Sequence, residues 1–461
     1  MISIPNKSKV HIVGIGGIGM SAIAEILLNL GCSVSGSDQM KSANTEKLQQ
    51  LGVKIYIGHN EENINDANIV VYSTAIPLSN LEVKSAIEKS VPVLKRSEIL
   101  ADIMRLKNGI AVAGTHGKTT TTSLVSTILY ECGVDPTYLI GGIVSNLKGH
   151  ARVGSGKWFV AEADESDGTF LELNPIISTI TNIDMDHLDF YKSEEALVNA
   201  FEKFGSLIPF YGKLTLNASD ELLRKISKKI RKPFCWYGVG DSDLELDYMA
   251  KNLNTVSDKT TFDFYYQGEL VSQFSVSLVG KHNIENALAA ISVCHSAGLS
   301  FLEIKKGLSK FEGVGRRMQV LCNTPNLKIV DDYGHHPTEV SSTLQALSET
   351  KGDKKLIAIF EPHRFSRTKN CWENFLHSFN LADKLYLLPI YSAGESEIDG
   401  ITSQRLSDDI NNLHPGFSSA VSSLEEIEDF SSSENNLILT LGAGSIGKKV
   451  RSFLKKINYV D

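Results

Sequence analysis

Ile110–Thr122 reads IAVAGTHGKTTTT, and the organisation of the chain can be worked out from this segment. A short apolar run leads into a loop with two glycines, after which apolar residues recur with the period of an amphipathic helix. Glycines let backbone N–H groups approach a polyphosphate, and the start of a helix adds unpaired donors and a positive dipole end. The pattern therefore predicts a strand, a phosphate-binding loop and a helix.

Two side chains of this loop fit the chemistry of a nucleoside triphosphate. Lys118 would bring a mobile positive charge to the β- and γ-phosphates, and the Thr119 hydroxyl would be a ligand for Mg²⁺. The loop departs from the standard P-loop, because Val112 stands where that motif has a glycine. A plain strand-to-helix turn is the structural alternative, but Gly-Lys-Thr-Thr directly after a strand favours an ATP or GTP site.

Composition limits the class of protein. The chain has 461 residues, of which 42% are apolar, and this length suggests about three domains. It contains no apolar run long enough for a transmembrane helix and no signal-peptide core, so we predict a cytoplasmic protein without a membrane partner. Six cysteines without paired spacing argue against a disulfide framework or a metal knuckle. A net charge of −8 without long basic runs argues against a nucleic-acid partner.

A second glycine-rich segment lies near the N-terminus, where Val10–Gly19 reads VHIVGIGGIG before a predicted helix. Asp38 follows at the distance of a ribose-binding acid, which matches the dinucleotide fingerprint. This pattern establishes only a pyrophosphate near a helix end, so NAD, FAD and a sugar nucleotide all remain open. Alternating strands and helices predict one doubly wound α/β unit over roughly the first 107 residues.

The same glycine pattern recurs near the C-terminus, where Leu437–Leu441 enters Gly442–Gly447, GAGSIG. One chain rarely needs two dinucleotides. We therefore interpret this second copy as a site of close strand-helix packing.

Acidic residues follow a buried strand in Trp158–Asp167, which reads WFVAEADESD. A solvated acidic loop is the bland explanation, but the carboxyl end of a buried strand in an α/β domain is where ligands bind. We predict metal coordination here, with Glu162 as the best candidate. His187, which lies among carboxylates beyond the next strand, is a second candidate ligand.

Two loops beyond a predicted boundary at Phe311–Met318 are rich in ionisable groups. Asp331–Glu339 reads DDYGHHPTE, and Glu361–Thr368 reads EPHRFSRT. The arginines of the second loop suit a carboxylate or phosphate clamp. Between the central loops and this boundary, Gly280–Ala290 starts a helix whose asparagines could cap it or recognise a base, and capping is the simpler interpretation.

Taken together, the segments Gly114–Thr120, Glu162–Asp167, Asp186–His187, His282–Asn283 and Asp332–Glu339 resemble those of the Mur ligases. The resemblance extends over essentially the whole chain. It is closest to the member that joins L-alanine to UDP-N-acetylmuramate at the start of the peptide stem of bacterial peptidoglycan.

This resemblance implies an α/β fold with three domains. The N-terminal domain is Rossmann-like and binds the UDP-sugar, the central one is a P-loop-type ATPase domain, and the C-terminal one is Rossmann-like, binds the amino acid and closes over the site. The implied boundaries are 1–107, 108–314 and 315–461.

The implied reaction is ATP-dependent amide formation. The carboxylate of UDP-N-acetylmuramate attacks the γ-phosphate to give an acyl phosphate and ADP, the amine of L-alanine attacks the acyl carbon, and phosphate leaves. ATP and Mg²⁺, the latter at two sites, are the implied cofactors. The resemblance suggests a monomer or a weak homodimer.

Site residues implied by the resemblance fall into five groups. The catalytic residues are Lys118, Glu162, His187 and His335. ATP would be bound by Gly114, Thr115, His116, Gly117, Lys118, Thr119, Thr120, Asn283 and Asn286, which sets the two asparagines against the capping interpretation. The UDP-sugar would be bound by Gly16, Gly17, Ile18, Gly19, Asp38 and His59. The amino acid would be bound by Tyr333, His335, Arg364 and Arg367. The metal ligands would be Thr119, Glu162 and His187.

Three other functions stay open at this point. An NAD-dependent oxidoreductase would explain the N-terminal glycines but leave the Gly-Lys-Thr loop unexplained. A P-loop switch protein would hydrolyse nucleotide without regard to UDP-sugars. A recycling ligase that attaches a tripeptide to the same UDP-sugar is the nearest alternative.

Overall fold

The computed structural model describes residues 8–73, 75–147, 149–430 and 435–457, without the side chains of Ile18, Leu188 and Asp189. The predicted three-domain α/β class is confirmed by three separate sheets of five, ten and six strands. The chain forms two compact units. The first runs to Glu312, and the second runs from Gly313 and also takes in Asn254–Thr261 and Ser277–Ile284.

The N-terminal sheet is wholly parallel, with strand order β3-β2-β1-β4-β5. Its elements are β1 (Lys9–Val13), α1 (Ile18–Asn29), β2 (Ser33–Asp38), α2 (Ala43–Gln50), β3 (Lys54–Ile57), β4 (Ile69–Tyr72), α3 (Leu81–Glu88), β5 (Val93–Lys95) and α4 (Arg96–Arg105). The strand order reverses direction between β1 and β4, and the glycine turn lies at the carboxyl end of β1. In open α/β sheets this crevice is the usual ligand site.

The central sheet has ten strands in the order β15-β14-β13-β12-β11-β10-β6-β9-β7-β8. Its elements are β6 (Asn108–Ala113), α5 (Lys118–Glu131), β7 (Thr137–Val144), β8 (Gly149–Arg152), β9 (Trp158–Glu162), β10 (Ile177–Ile180), α6 (Leu188–Tyr191), α7 (Glu194–Gly205), β11 (Lys213–Asn217), α8 (Glu221–Ser227), β12 (Phe234–Val239), β13 (Tyr248–Val256), β14 (Lys259–Tyr266), β15 (Glu269–Val276), α9 (Lys281–Ser296) and α10 (Phe301–Leu308).

Strand order in the centre of this sheet positions the site. The strands β6 and β9 are largely apolar, and β10 alternates isoleucine with hydroxyl residues; all three are almost wholly buried, as expected for parallel strands covered on both faces. Because β9 and β10 flank β6 on either side, the loops after these three strands meet at one edge of the sheet. The phosphate loop therefore lies between the acidic segment after β9 and the segment that carries His187.

One hydrophobic cluster contains buried side chains from both the N-terminal and the central sheet. The cluster includes Ile23 and Leu27 of α1 together with Leu139 of β7 and Phe159 of β9. The helix α1 lies against β7 and β8 of the central sheet. The N-terminal and central sheets therefore form one compact unit with a shared core.

The six-stranded sheet of the second unit has the order β16-β17-β21-β18-β19-β20, in which β16 alone is antiparallel. Its elements are β16 (Gln319–Asn323), β17 (Leu327–Asp332), α11 (Pro337–Ser348), β18 (Lys355–Phe360), α12 (Phe365–Asn370), α13 (Trp372–Ser378), β19 (Lys384–Leu387), α14 (Ser403–Leu413), β20 (Ser418–Ala420), β21 (Asn436–Leu441) and α15 (Ile446–Lys456). The two loops rich in ionisable groups follow β17 and β18, which both pair with β21.

Two further expectations can be compared with the structure. Among the described residues, no helix combines the length and the apolar character needed to cross a bilayer. All six cysteines lie in the described part of the chain and are free thiols, as their spacing predicted.

Candidate active site

The phosphate loop has the backbone that its glycines predict. Gly114 and Gly117 both have positive φ, 129° and 82°, so L side chains would be strained at either position. A Cβ at Gly117 would collide with the side-chain amide of Asn286, and one at Gly114 would collide with the Thr181 hydroxyl. The loop is thus closely covered from two sides, and the helix α5 begins directly after Gly117.

Lys118 occupies the start of α5, and its ammonium points back into the loop. Its Nζ donates to the carbonyl oxygens of Gly114 at 2.6 Å and Thr115 at 3.1 Å. It also lies 2.7 Å from Oε2 and 3.0 Å from Oε1 of Glu165. The cation is therefore held at the loop by a carboxylate that the sequence interpretation did not select.

Carboxylates keep Lys118 charged. Burial alone would lower the pKa of its ammonium, but Glu165, Asp164 and Glu162 outweigh burial and raise that pKa. Glu165 is itself fully buried. In the sequence, Glu165 is marked only by its place in the acidic segment Glu162–Asp167. That segment does not show which of its carboxylates is buried against Lys118.

Thr119 and Glu162 are brought together as predicted. The Thr119 hydroxyl donates to Oε2 of Glu162 at 3.2 Å, and the backbone N–H of Gly141 donates to Oε1 at 2.6 Å. A Cβ at Gly141 would lie 2.9 Å from Glu162 Oε2, so only glycine leaves the carboxylate its place. A hydroxyl and a carboxylate at a polyphosphate loop are oxygen donors of the kind that Mg²⁺ prefers.

His187 lies on the opposite side of the phosphate loop, in the segment that follows β10. Its φ of 57° is unusual for a residue with a side chain and marks a locally constrained turn. The ring Nε2 is 3.6 Å from Asp186 Oδ2 and 4.0 Å from Glu165 Oε1. His187 thus approaches the carboxylate that also binds Lys118.

The segment after β10 makes hydrogen bonds to Thr115 and His116 of the phosphate loop. The Thr181 hydroxyl donates to the His116 carbonyl at 2.6 Å, and the Asn182 amide accepts from the His116 N–H at 2.8 Å. His116 Nε2 lies 2.8 Å from Asp184 Oδ2, and the Thr115 hydroxyl accepts from the Asp184 N–H at 2.9 Å. These contacts explain how Thr115 and His116 are fixed.

Thr120 and the two asparagines have different surroundings. Thr120 is buried within α5. Asn286, on α9, accepts a hydrogen bond from the Thr121 hydroxyl at 3.3 Å and lies against Gly117. Asn283, earlier on α9, donates from Nδ2 to the Val279 carbonyl at 2.9 Å, which is a contact of the loop that precedes the helix.

The N-terminal glycine turn connects β1 to α1. Gly14 has a φ of 79°, and the Gly16 N–H donates to Oδ2 of Asp38 at 2.8 Å. Gly17 is the N-cap of α1, and no side chain caps this end of the helix. Ile18 begins the helix, but its side chain lies outside the described part, and Gly19 follows it.

His59 belongs to a buried polar cluster behind this turn. Its Nδ1 lies 3.2 Å from Oε2 of Glu82 and 3.0 Å from the Ser37 hydroxyl. Burial alone would raise the pKa of the Glu82 carboxyl, but His11, Ser37 and Asn63 outweigh it and hold that pKa at about 2. Among the described residues, the other ring nitrogen of His59 has no hydrogen-bond partner.

In the second unit, Tyr333 and His335 form one group with a residue that the sequence interpretation left unassigned, His363. The Tyr333 and His335 rings meet edge to face at 5.5 Å, and the His335 and His363 rings are 5.7 Å apart. The Arg316 and Arg317 guanidinium groups lie over the Tyr333 ring at 5.0 and 4.9 Å. The loops after β17 and β18 therefore converge.

The two predicted arginines lie beside His363. Arg367 Nη1 donates to His363 Nδ1 at 3.3 Å, whereas Arg364 Nη1 lies 3.9 Å from Glu395 Oε1. Burial, reinforced by Arg367 and Arg364, lowers the pKa of His363 to about 4, so its ring is neutral near pH 7. Arg364 has a φ of 68°, which marks the turn before α12 as constrained.

The second glycine turn is filled by the protein itself, as the packing interpretation predicted. The Glu361 carboxylate accepts from the Ile446 N–H at 2.9 Å, from the Ser445 hydroxyl at 2.7 Å and from Lys449 Nζ at 2.9 Å. Glu361 is 1% exposed. A Cβ at Gly444 would collide with this carboxylate, so the start of α15 is closed.

Known protein families match nearly the whole length of the chain. Residues 9–108 match the Mur ligase family, catalytic domain. Residues 112–294 match the Mur ligase middle domain, and residues 316–444 match the Mur ligase, glutamate ligase domain. The three matches follow the order of the three sheets.

Individual relatives agree with the domain matches. A UDP-N-acetylmuramate–L-alanine ligase of Endomicrobium trichonymphae is 44% identical over 454 residues, which are 98% of this chain and 99% of that protein. The crystal structure of UDP-N-acetylmuramate-alanine ligase MurC from Thermotoga maritima superposes with a TM-score of 0.81 at 30% identity, covering 98% of this chain and 99% of that one. For a murein peptide ligase from Psychrobacter arcticus the TM-score is 0.70 at 25% identity, with the same coverage.

The three consecutive family matches contain the candidate site. The N-terminal glycine turn lies in the first match, and the phosphate loop and the carboxylates after β9 lie in the second. The identity of 44% over nearly the full length places these features within one homologous protein family. The chain belongs to the Mur ligase family.

Proposed function

We propose that this chain joins L-alanine to the carboxylate of UDP-N-acetylmuramate at the expense of ATP, as a step of peptidoglycan synthesis. The observation that carries the proposal is the presence of two anion-binding glycine turns in one compact unit, one with Lys118 and one without a lysine. A nucleoside triphosphate fits the first turn and a sugar nucleotide the second. The names of the relatives support the same substrates.

The reaction has two bond-forming steps. The sugar carboxylate attacks the γ-phosphate of ATP, which releases ADP and leaves an acyl phosphate. The amine of L-alanine then attacks the acyl carbon, and inorganic phosphate leaves. The ammonium of Lys118 stabilises the charge that moves from the γ-phosphate, which is mainly an electrostatic task. Its retention as a cation by Glu165 supports this role.

We assign Mg²⁺ to the same end of the central sheet. Thr119 and Glu162 would hold one ion, and their 3.2 Å contact through oxygen donors supports this assignment. Glu162 and His187 would hold a second ion. Divalent cations there would neutralise charge on the transferred phosphoryl group. Asn283 and Asn286 would approach the adenine. For Asn286, its position against Gly117 supports this assignment.

The UDP-sugar would occupy the N-terminal turn. Gly16, Gly17, Ile18 and Gly19 would meet the diphosphate, and the uncapped start of α1 supplies the donors for it. Asp38 and His59 would lie near the uridine. The unpartnered ring nitrogen of His59 supports this, since a base would offer it a hydrogen bond.

L-alanine would bind in the second unit. One of Arg364 and Arg367 would pair with its carboxylate, and Tyr333 and His335 would surround its amino group. His335 would take up the amine proton as the amide forms. The neutral state of the neighbouring His363 supports this assignment, because a second imidazolium would raise the cost of charging His335.

The remaining expectations are part of the same proposal. The domains would divide at 107/108 and 314/315, as the sheet boundaries favour. The protein would act in the cytoplasm as a monomer or a weak homodimer. A ligase that attaches a tripeptide is the second candidate, and the relationship to the Psychrobacter arcticus protein is the observation in its favour.

Phosphate release tests the proposal. ATP and Mg²⁺ are supplied, and UDP-N-acetylmuramate and L-alanine are added singly and then together. Turnover is expected only with both, and replacement of L-alanine by the tripeptide is expected to give little. Release that is indifferent to the sugar nucleotide contradicts the ligase, and release that requires the tripeptide favours the second candidate.

Lys118→Ala is the residue-level test. It is expected to lower kcat by about a thousandfold or more, because the charge on the γ-phosphate loses its fixed cation. Binding of UDP-N-acetylmuramate, measured by calorimetry, is expected to persist. Lys225→Ala, at an exposed lysine of α8, is the matched control and should leave both quantities unchanged. Loss of sugar-nucleotide binding in Lys118→Ala would mean that the two nucleotide sites are exchanged.

A further inference from the structure

Arg96 is a half-buried cation whose donors are unused. It is the first residue of α4, directly after β5, and its side chain is 24% exposed. Among the described residues its one ion-pair partner is Asp164, at 3.8 Å between Nη2 and Oδ2, and none accepts a hydrogen bond from it. The partner carboxylate is 43% exposed, so this ion pair is weak. Five N–H donors are therefore available to a ligand.

Arg96 lies between the N-terminal glycine turn and the acidic segment after β9. A cavity of about 180 Å³ is lined by Gly19 of the N-terminal turn, by Arg96, and by Gly141, Glu162 and Asp164 of the central sheet. A Cβ at Gly19 would lie 3.1 Å from Arg96 Nη1. The guanidinium thus lies between the start of α1 and the carboxylate that we assign to Mg²⁺.

Charge in the cavity decides what Arg96 can bind. Two of the lining side chains, Glu162 and Asp164, are acids, and Arg96 is the one cation among the lining residues that the structure describes. A carboxylate that entered this cavity would be repelled by both acids unless a cation balanced it. A guanidinium binds a carboxylate through two parallel N–H···O bonds and does so better than a lysine ammonium.

We propose that Arg96 binds the carboxylate of the sugar nucleotide and holds it between the N-terminal turn and Glu162. The proposal rests on the proposed function, because that function supplies a substrate with a diphosphate at one end and a reacting carboxylate at the other. On binding, the guanidinium exchanges its loose contact with Asp164 for a bidentate contact with the substrate. Arg96 is then a residue that distinguishes this sugar nucleotide from those without a carboxylate.

Two ligands that differ only in the carboxylate arm test this. UDP-N-acetylmuramate carries the arm, and UDP-N-acetylglucosamine is the same nucleotide sugar without it. The dissociation constants of both are measured by calorimetry for the full chain and for Arg96→Gln, at fixed salt and without ATP. We expect the variant to bind UDP-N-acetylmuramate about tenfold or more weakly. Binding of UDP-N-acetylglucosamine should change less than about twofold.

Two further variants exclude a general loss of structure. Arg96→Lys keeps the positive charge but loses the two parallel N–H donors of the guanidinium. We expect an intermediate loss of affinity, for UDP-N-acetylmuramate alone. Arg105→Gln removes an exposed arginine at the other end of α4, which pairs with Asp102 in the same helix, and should affect neither ligand. Circular dichroism and the unfolding midpoint identify a variant that is merely misfolded, and Arg96→Lys then carries the test.

Every outcome has a defined meaning. Equal weakening of both ligands overturns the inference in favour of a contact with the diphosphate, and unchanged affinities overturn it altogether. If the unaltered chain binds UDP-N-acetylmuramate but Arg96→Gln does not selectively lose affinity for it, the inference about Arg96 fails and the proposed function stands. If the unaltered chain does not bind this ligand at all, the proposed function fails with it.

Discussion

The two glycine turns at Gly14–Gly19 and Gly442–Gly447 have the same sequence pattern but different surroundings. We call the first the open turn and the second, which the Glu361 side chain fills, the closed turn. Each follows a buried strand and precedes a helix, and each is approached by a carboxylate from a neighbouring strand. In the first unit, Asp38 at the end of β2 accepts from the Gly16 N–H and, at 3.4 Å, from the Met40 N–H, and no side chain caps the start of α1. In the second unit, Glu361 directly after β18 reaches the first turn of α15 itself.

The difference teaches that the pattern specifies a backbone and not a ligand. Both turns provide N–H groups at a positive helix end, which attract an anion. In the C-terminal turn the anion is a side chain that is 1% exposed, whereas the N-terminal turn leaves room for an external one. In this molecule the glutamate reaches the first turn of α15, whereas the shorter aspartate reaches the Gly16 N–H before α1.

Removal of the internal anion should have the largest effect. Glu361→Ala leaves the Ile446 N–H and the Ser445 hydroxyl without their acceptor and Lys449 without its partner. We expect the free energy of unfolding to fall by about 3 kcal/mol, measured by denaturant titration of the full chain. The control is Glu373→Ala, at an exposed position of α13, which should change it by less than about 0.5 kcal/mol. A loss as small as in the control would mean that Glu361 is dispensable.

A methyl group in the closed turn should have the next largest effect. Gly444→Ala would place a Cβ against the Glu361 carboxylate and 2.6 Å from Cγ of Tyr391, which the packed turn cannot accommodate. We expect a loss of about 2 kcal/mol in the free energy of unfolding. In the open turn, Gly17→Ala meets nothing nearer than the Gly14 carbonyl at 3.5 Å, and its φ is −64°. Equal losses for both variants would remove the distinction between the turns.

Acid should affect the buried carboxylate behind the open turn. The pKa of Glu82 is lowered to about 2 in the folded chain, so its stabilising contribution is complete above the unfolded pKa near 4.5 and is lost as the pH falls towards 2. Glu82→Gln should cost about 2 kcal/mol at pH 7, and this difference from the unaltered chain should shrink between pH 5 and 3. Unfolding titrations across this range measure it. A difference that is constant with pH would contradict the assignment of a charged Glu82.

The smallest change in stability is expected for the carboxylate of the open turn. Asp38→Ala removes the hydrogen bond to the Gly16 N–H and a longer one, at 3.4 Å, to the Met40 N–H, and should cost about 1 kcal/mol. Its main effect should be on ligand affinity, with the dissociation constant of UDP-N-acetylmuramate raised about tenfold. Asp66→Ala, at a carboxylate that is 89% exposed in the same unit, serves as the control. A stability loss as large as that of Glu361→Ala would show that Asp38 is structural as well.

Much of the site could be predicted from the sequence because its parts are local. The strands β1, β6 and β21 are largely apolar and a glycine turn directly follows each of them, and the acidic segment follows β9 in the same way. Thr119 and Glu162 were each predicted as metal ligands from their residue types after an apolar strand, and the family resemblance paired them; their oxygens are 3.2 Å apart. Asn283 donates from its amide to the Val279 carbonyl before the helix, and neither capping nor contact with adenine is tested by this hydrogen bond.

Other parts could not be predicted, because they depend on which side chain is buried. Four acids lie within Glu162–Asp167, and nothing local distinguishes Glu165, the one that turns inward to Lys118. Arg96 begins a helix at a position without a motif, and its proximity to Gly19 and Asp164 depends on the packing of α4 between two sheets. His363 carries no signal beyond its neighbouring arginines.

The sequence by itself determined the α/β class, the three successive domains, both glycine turns and the phosphate loop with its lysine. It could do so because periodicity and turn chemistry act between residues that are close along the chain. Tertiary structure alone decided that Glu361 closes one turn, that Glu165 holds Lys118 and that Arg96 faces the cavity. These outcomes depend on strand order and side-chain burial, which bring together residues far apart in sequence.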